Sequence, residues 1–101
     1  MQDADTVETR DEARAEKAKT ARQVEVNDLK WLMSTSQGRR VAGRLLGMAG
    51  IHRSSFTGNS ETFFKEGRRS MGLELEVEIT THCFEEYLTM LREHNKQLNT
   101  K

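Results

Sequence analysis

Between Gln2 and Asn27, only Val7, Val24 and Val26 are apolar side chains larger than alanine. About a quarter of the chain therefore contributes almost nothing to a core. Ala13, Ala15, Ala18 and Ala21 favour a helix without burying much surface. Glu12 and Glu16 lie close to Lys17 and Lys19, a mixed charge pattern that suits a solvated helix. A helix without a wide apolar face has little to hold against a core. Residues 1–27 are expected to form a protruding helix or a tail that orders against a partner, with plain disorder in solution as the alternative.

The fold must then be built from residues 28–101, expected as one helical domain. Proline is missing from the whole chain, which removes a helix breaker and favours an all-α fold. Asn27 is placed to cap a short helix carrying the apolar patch Leu29, Trp31, Leu32 and Met33. Ser36 is placed to cap a second helix, from about Gln37 to Met48, with Val41, Leu45 and Met48 on one face and Gly50 as its stop. Residues 51–58 read as a loop, and Asn59 or Ser60 as the next cap, with Glu61 in the first turn. Phe63, Gly67, Met71, Leu75 and Ile79 then recur every four residues, widened by Phe64 and Gly72, whose glycines would allow close helix approach. The run Leu73–Ile79 also alternates apolar and acidic residues, which is strand periodicity. A lone strand needs a partner strand, and no other segment alternates in this way, so helix is favoured. Thr80 and Thr81 are placed to break and recap the chain before a last helix from Cys83 to about Gln97. The expectation is a small bundle of three to four helices in which the Trp31 patch joins the core.

Composition narrows the function. With apolar residues at 35% and charged residues at 32%, the core is small, and association with another chain is expected. No run of about 18 apolar residues is present, so no membrane span is expected. The N-terminus lacks the apolar stretch of a secretory signal. Cys83 is the only cysteine, which excludes an intrachain disulfide and a four-cysteine zinc site, and it reads as a small buried group. For a metal site, His52, His82 and His94 would have to converge with a carboxylate such as Glu78, and none is expected. Ser54, Ser55 and Ser60 near His52 lack a recognisable positioned base or oxyanion hole. The turn Gly58–Ser60 lacks the lysine and second glycine of a phosphate loop. No catalytic residue, metal or cofactor is expected.

The zero net charge hides a pattern. Residues 1–30 carry eight acids and six bases (net −2), residues 31–69 two acids and seven bases (net +5), and residues 70–101 six acids and three bases (net −3). The basic waist consists of Arg39, Arg40, Arg44, Arg53, Lys65, Arg68 and Arg69. These residues would contact a partner or phosphates, or else pair with the glutamates at 74, 76, 78, 85 and 86.

The densest signal is the segment Phe56–Leu73. There Gly58 and Asn59 read as a turn and cap, Phe63 and Phe64 as packing anchors, and Arg68 and Arg69 as a contact face. Together with Asp28-Leu-Lys-Trp-Leu-Met33, Gly38-Arg-Arg40, Arg44-Leu-Leu46, Phe64-Lys-Glu-Gly-Arg68 and Gly72-Leu73, it resembles a small family of tailed-phage proteins. The family is named after the nineteenth gene of a Bordetella podophage. Cys83-Phe-Glu-Glu-Tyr-Leu-Thr-Met90 is similar to its C-terminal motif, in which proline often stands in place of Phe84. The resemblance spans residues 28–93. It implies a small, mainly helical protein encoded by tailed phages, typically with virion structural and assembly genes, and it carries over no enzymatic activity. The chain is expected to be made in the host bacterial cytoplasm and to act in the virion, not as an enzyme. The expected partners are portal, capsid or ejection-type virion proteins, met in several copies. The alternatives are a DNA-contacting accessory protein and a host-directed regulator.

Overall fold

Among the described residues the structure has four helices: α1 (Gln2–Met33), α2 (Ser36–Ala49), α3 (Glu61–His82) and α4 (Phe84–Leu98). The computed structural model describes residues 2–52, 58 and 61–98, with the side chains of 2–5 and 98 left aside. The fold is all-α, and no strand occurs among the described residues. The alternating run 73–79 lies wholly inside α3.

α1 passes through Asn27 without a break, so Asn27 is not an N-cap. A cap needs non-helical backbone, and nothing in Arg22–Val26 stops the helix from propagating. Instead the Asn27 side-chain oxygen accepts a hydrogen bond from Gln23 Nε2 at 2.9 Å, one turn back on the same surface. Residues 6–25 are all exposed. The helix first seats at Val26, on the face Arg22, Val26, Leu29, Met33 that i,i+4 and i,i+3 spacing aligns. Arg22 forms an ion pair with Glu78 of α3 there. Trp31 falls off that face and is 74% exposed, so it does not join the core with Leu29, Leu32 and Met33.

Thr35 caps α2, one residue before the expected Ser36. Its extended backbone (φ −119°, ψ 154°) lets its hydroxyl accept from the Gly38 N–H at 3.0 Å. A Cβ at Gly38 would collide with the Leu32 carbonyl oxygen, so α1 and α2 meet through backbone at this point. Gly50 ends α2 in the left-handed region (φ 70°), the conformation glycine adopts without penalty.

α3 crosses the end of α2 at Gly72, where an added Cβ would collide with Ala49 Cβ and lie 2.7 Å from Ile51 Cγ2. This crossing sets the face that α3 turns inward: Lys65, Arg69, Gly72, Glu76 and Ile79 are buried or half-buried. The expected stripe from Phe63 to Ile79 is corrected accordingly. Steps of four residues drift by about 40° each, so Phe63 and Ile79 lie about 160° apart around the helix. Phe63, Phe64 and Met71 are exposed, and Gly67 faces open space.

Thr80 and Thr81 do not break α3. The Thr80 hydroxyl donates back to the Glu76 and Val77 carbonyls at 2.9 and 3.1 Å. The interruption falls at Cys83, where the ladder continues through Cys83 N–H to Ile79 O (2.7 Å) and Tyr87 N–H to Cys83 O (2.8 Å). The Tyr87 hydroxyl donates to Glu76 Oε2 at 3.0 Å. That bond requires a bend, because on a straight helix the two residues would be about 16 Å apart along the axis.

The core is a single cluster of Met33, Ala42, Leu46, Ile51, Ile79, Cys83 and Met90, drawn from all four helices and the turn after α2. The radius of gyration is 19.4 Å, against about 13 Å for a compact domain of this length. The difference is the free shaft of α1.

Candidate interaction surface

The basic waist divides once folded. The Arg39 guanidinium clamps Glu93 of α4 through two bonds (Nε to Oε1, 2.8 Å; Nη2 to Oε2, 3.2 Å) and reaches the Met33 carbonyl with Nη1 at 3.0 Å. Arg39 is thus an internal tie between α1, α2 and α4, not a free contact residue. Glu93 was not among the glutamates expected to pair. The hydrogen bond from Arg39 lowers the Glu93 carboxyl below its ordinary range, and the same bond raises Arg39. Arg40 and Arg44 remain exposed one turn apart, and no ion pair engages either among the described residues.

On α3, Arg69 lies 3.8 Å from Glu66 on its own helix, and the Arg68 guanidinium sits over the Phe64 ring at 5.8 Å. Lys65 is half-buried. No ion pair or ring contact joins these residues to the arginines of α2 among the described residues. Gly58 is exposed with φ 78°, in keeping with a turn. Arg53, Phe56 and Asn59, with Ser54, Ser55 and Ser60, lie outside the described residues.

A groove of about 600 Å³ opens between α2 and α4, lined also by Ile51, His52 and Glu76. Leu46, Tyr87 and Met90 form its floor, and Gly43, Gly47 and Gly50 give it a wall without side chains. Arg40, Arg44 and His94 stand at its edge. Its two carboxylates are already engaged, Glu93 by Arg39 and Glu76 by Tyr87, with His52 3.8 Å from Glu76. The sequence signal for this groove was the glycine spacing 43, 47, 50 on one helical face; only Gly50 had been read, as a stop.

Large apolar side chains are abundant outside the core. Val41, Leu45 and Met48 form an exposed ridge along α2 at i, i+4 and i+7. Phe63 and Phe64 are 83% and 75% exposed at the start of α3. Cys83 is buried, and desolvation raises its thiol above the ordinary value. Among the described residues, no group of three or more His, Cys, Asp or Glu side chains could hold a metal ion. No described helix is long and apolar enough to cross a membrane.

A small core packed by four helices, large apolar side chains left outside it and an open groove describe a small all-α protein. The sequence profile of the Bbp19-like phage proteins matches residues 29–92, and the chain belongs to that family. Neither a curated protein nor a solved structure matches the sequence.

Proposed function

We propose that this chain is a structural or assembly protein of a tailed-phage virion, acting by protein–protein contact without catalysis. Its place is the head–tail, portal or internal head region, in several copies. One observation carries the reading beyond the family. Twelve large apolar side chains are exposed, against eight apolar residues buried, among the described residues. Scattered exposed apolar residues are ordinary, but an excess gathered into ridges marks surface that a partner covers. Mass spectrometry of purified virions tests it. The chain should be recovered at a fixed ratio to the portal protein, and its absence from virions would overturn the reading.

DNA contact is the second reading, favoured by the exposed Arg40 and Arg44, which no ion pair engages among the described residues. Affinity for duplex DNA that falls steeply with added salt, and weakens in Arg40→Ala/Arg44→Ala, would support it. No binding at low salt would remove it.

A further inference from the structure

The free shaft of α1 sorts its charges by side. At about 100° per residue, Glu8, Asp11, Glu12 and Glu16 fall on one side of the helix. Arg10, Arg14 and Lys17 fall on the other. Opposite charges still meet at i,i+3 (Asp11 with Arg14, Glu16 with Lys19), but like charges stack at i,i+4: Glu8 with Glu12, Glu12 with Glu16, and Arg10 with Arg14. Glu8 and Glu12 have no cation at i+3 or i+4, so this part of the shaft gains from an external positive charge. The acidic side runs until Lys19 and includes a small residue, Ala15.

The α2–α4 groove has complementary features. Its carboxylates are occupied, while no ion pair engages Arg40 or Arg44 among the described residues. The glycines of its wall allow a second helix to come close at a position such as Ala15. The shaft and groove of one chain cannot meet, because α1 is a continuous helix and residues 6–25 extend about 30 Å from the core without burying a residue.

We propose that the acidic side of α1 in one copy docks in the α2–α4 groove of the next copy, with Glu8 and Glu12 facing Arg40 and Arg44. The two surfaces are different patches, so the contact is head-to-tail. Repeated, it gives a closed ring or an open filament rather than a two-fold dimer. The inference does not depend on the virion reading, since it concerns the purified chain alone.

The test is the solution mass of the full chain at low and high salt, with circular dichroism confirming that each variant folds. Wild type should exceed twice the monomer mass of 11.6 kDa at low salt and fall to it at high salt. Glu8→Lys/Glu12→Lys and Arg40→Glu/Arg44→Glu should each be monomeric. Mixed, they should associate again, because the mixture restores one native contact and creates one reversed contact. A wild-type chain that stays monomeric at all concentrations overturns the proposal, as does self-association unaffected by either variant or a mixture that stays monomeric. A monomeric chain that is nevertheless found in virions would overturn this contact and leave the virion reading standing.

Discussion

Gly67 and Gly72 lie five residues apart on α3 and call for opposite substitutions. Alanine at Gly72 would drive a methyl group into Ala49 and Ile51, and overpacking of this kind costs about 1–3 kcal/mol. That outweighs the helix propensity gained, about 1 kcal/mol at most. Alanine at Gly67 meets nothing and gains about 0.5–1 kcal/mol. Thermal unfolding should therefore show Gly72→Ala melting below wild type and Gly67→Ala above it. Equal shifts would mean that α3 does not cross α2 at Gly72. The sequence could not separate these two glycines, because Gly67 sits within an i+4 stripe that drifts around the helix and Gly72 beside it. Only the crossing point chooses a face. The Arg39–Glu93 clamp was hidden for a related reason: its partners lie 54 residues apart, and charge alone does not select among candidate glutamates. The clamp sets a pH dependence. A carboxyl whose pKa is lower folded than unfolded binds fewer protons in the native state. Its stabilising contribution is complete above the ordinary glutamate range and is lost as pH falls through the lowered folded value. Wild type should thus exceed Glu93→Gln in stability at neutral pH, and urea titrations should show the gap closing under acid.

Helices differ in how much of their behaviour is local. α2 was legible in outline because its end is written in local chemistry: Gly50 stops it, and a hydroxyl residue caps it within one position of the expected one. The alternation over 73–79 was rightly read as helix because no other segment of the sequence alternates to pair with it. Trp31 was misplaced because aromatic character suggests burial, whereas the angle of the helix decides which residues face inward. The Asn27 cap failed since a good cap residue does not end a helix that both flanks can continue. The lack of an apolar face left a protruding helix, a tail and disorder open for residues 1–27; in the structure α1 is helical through them from Gln2, and this leads to a prediction. Residues 6–25 bury nothing, so removing residues 2–20 should leave the melting midpoint unchanged at high salt and low concentration. A fall in the midpoint would show that the shaft is seated after all. Circular dichroism should meanwhile lose more helix than a well-formed segment of that length would supply only if the core is disturbed, which keeps the two readouts independent.

At the scale of the whole molecule, the core and the surface are out of proportion. Among the described residues seven form the buried cluster, and four of them (Met33, Ala42, Cys83 and Met90) are small or flexible. Small domains bury a limited fraction of their surface, and here much of the larger apolar content, Trp31, Phe63 and Phe64 among it, lies outside. A chain of this kind should draw part of its stability from whatever covers it. If the covering partner is another copy, stability becomes a function of the protein's own concentration. Each tenfold rise above the dissociation constant adds up to about 1.4 kcal/mol. For a domain of this size that corresponds to an upward shift of about 5–10 °C in the melting midpoint. Scans across two decades of concentration at low salt should show that rise in wild type and its loss in the chain lacking residues 2–20, whose groove has no shaft to receive. A rise that survives the truncation would assign self-association to the apolar ridge of Val41, Leu45 and Met48 instead. A midpoint independent of concentration, in a protein recovered from virions, would assign the covering surface to a different phage protein.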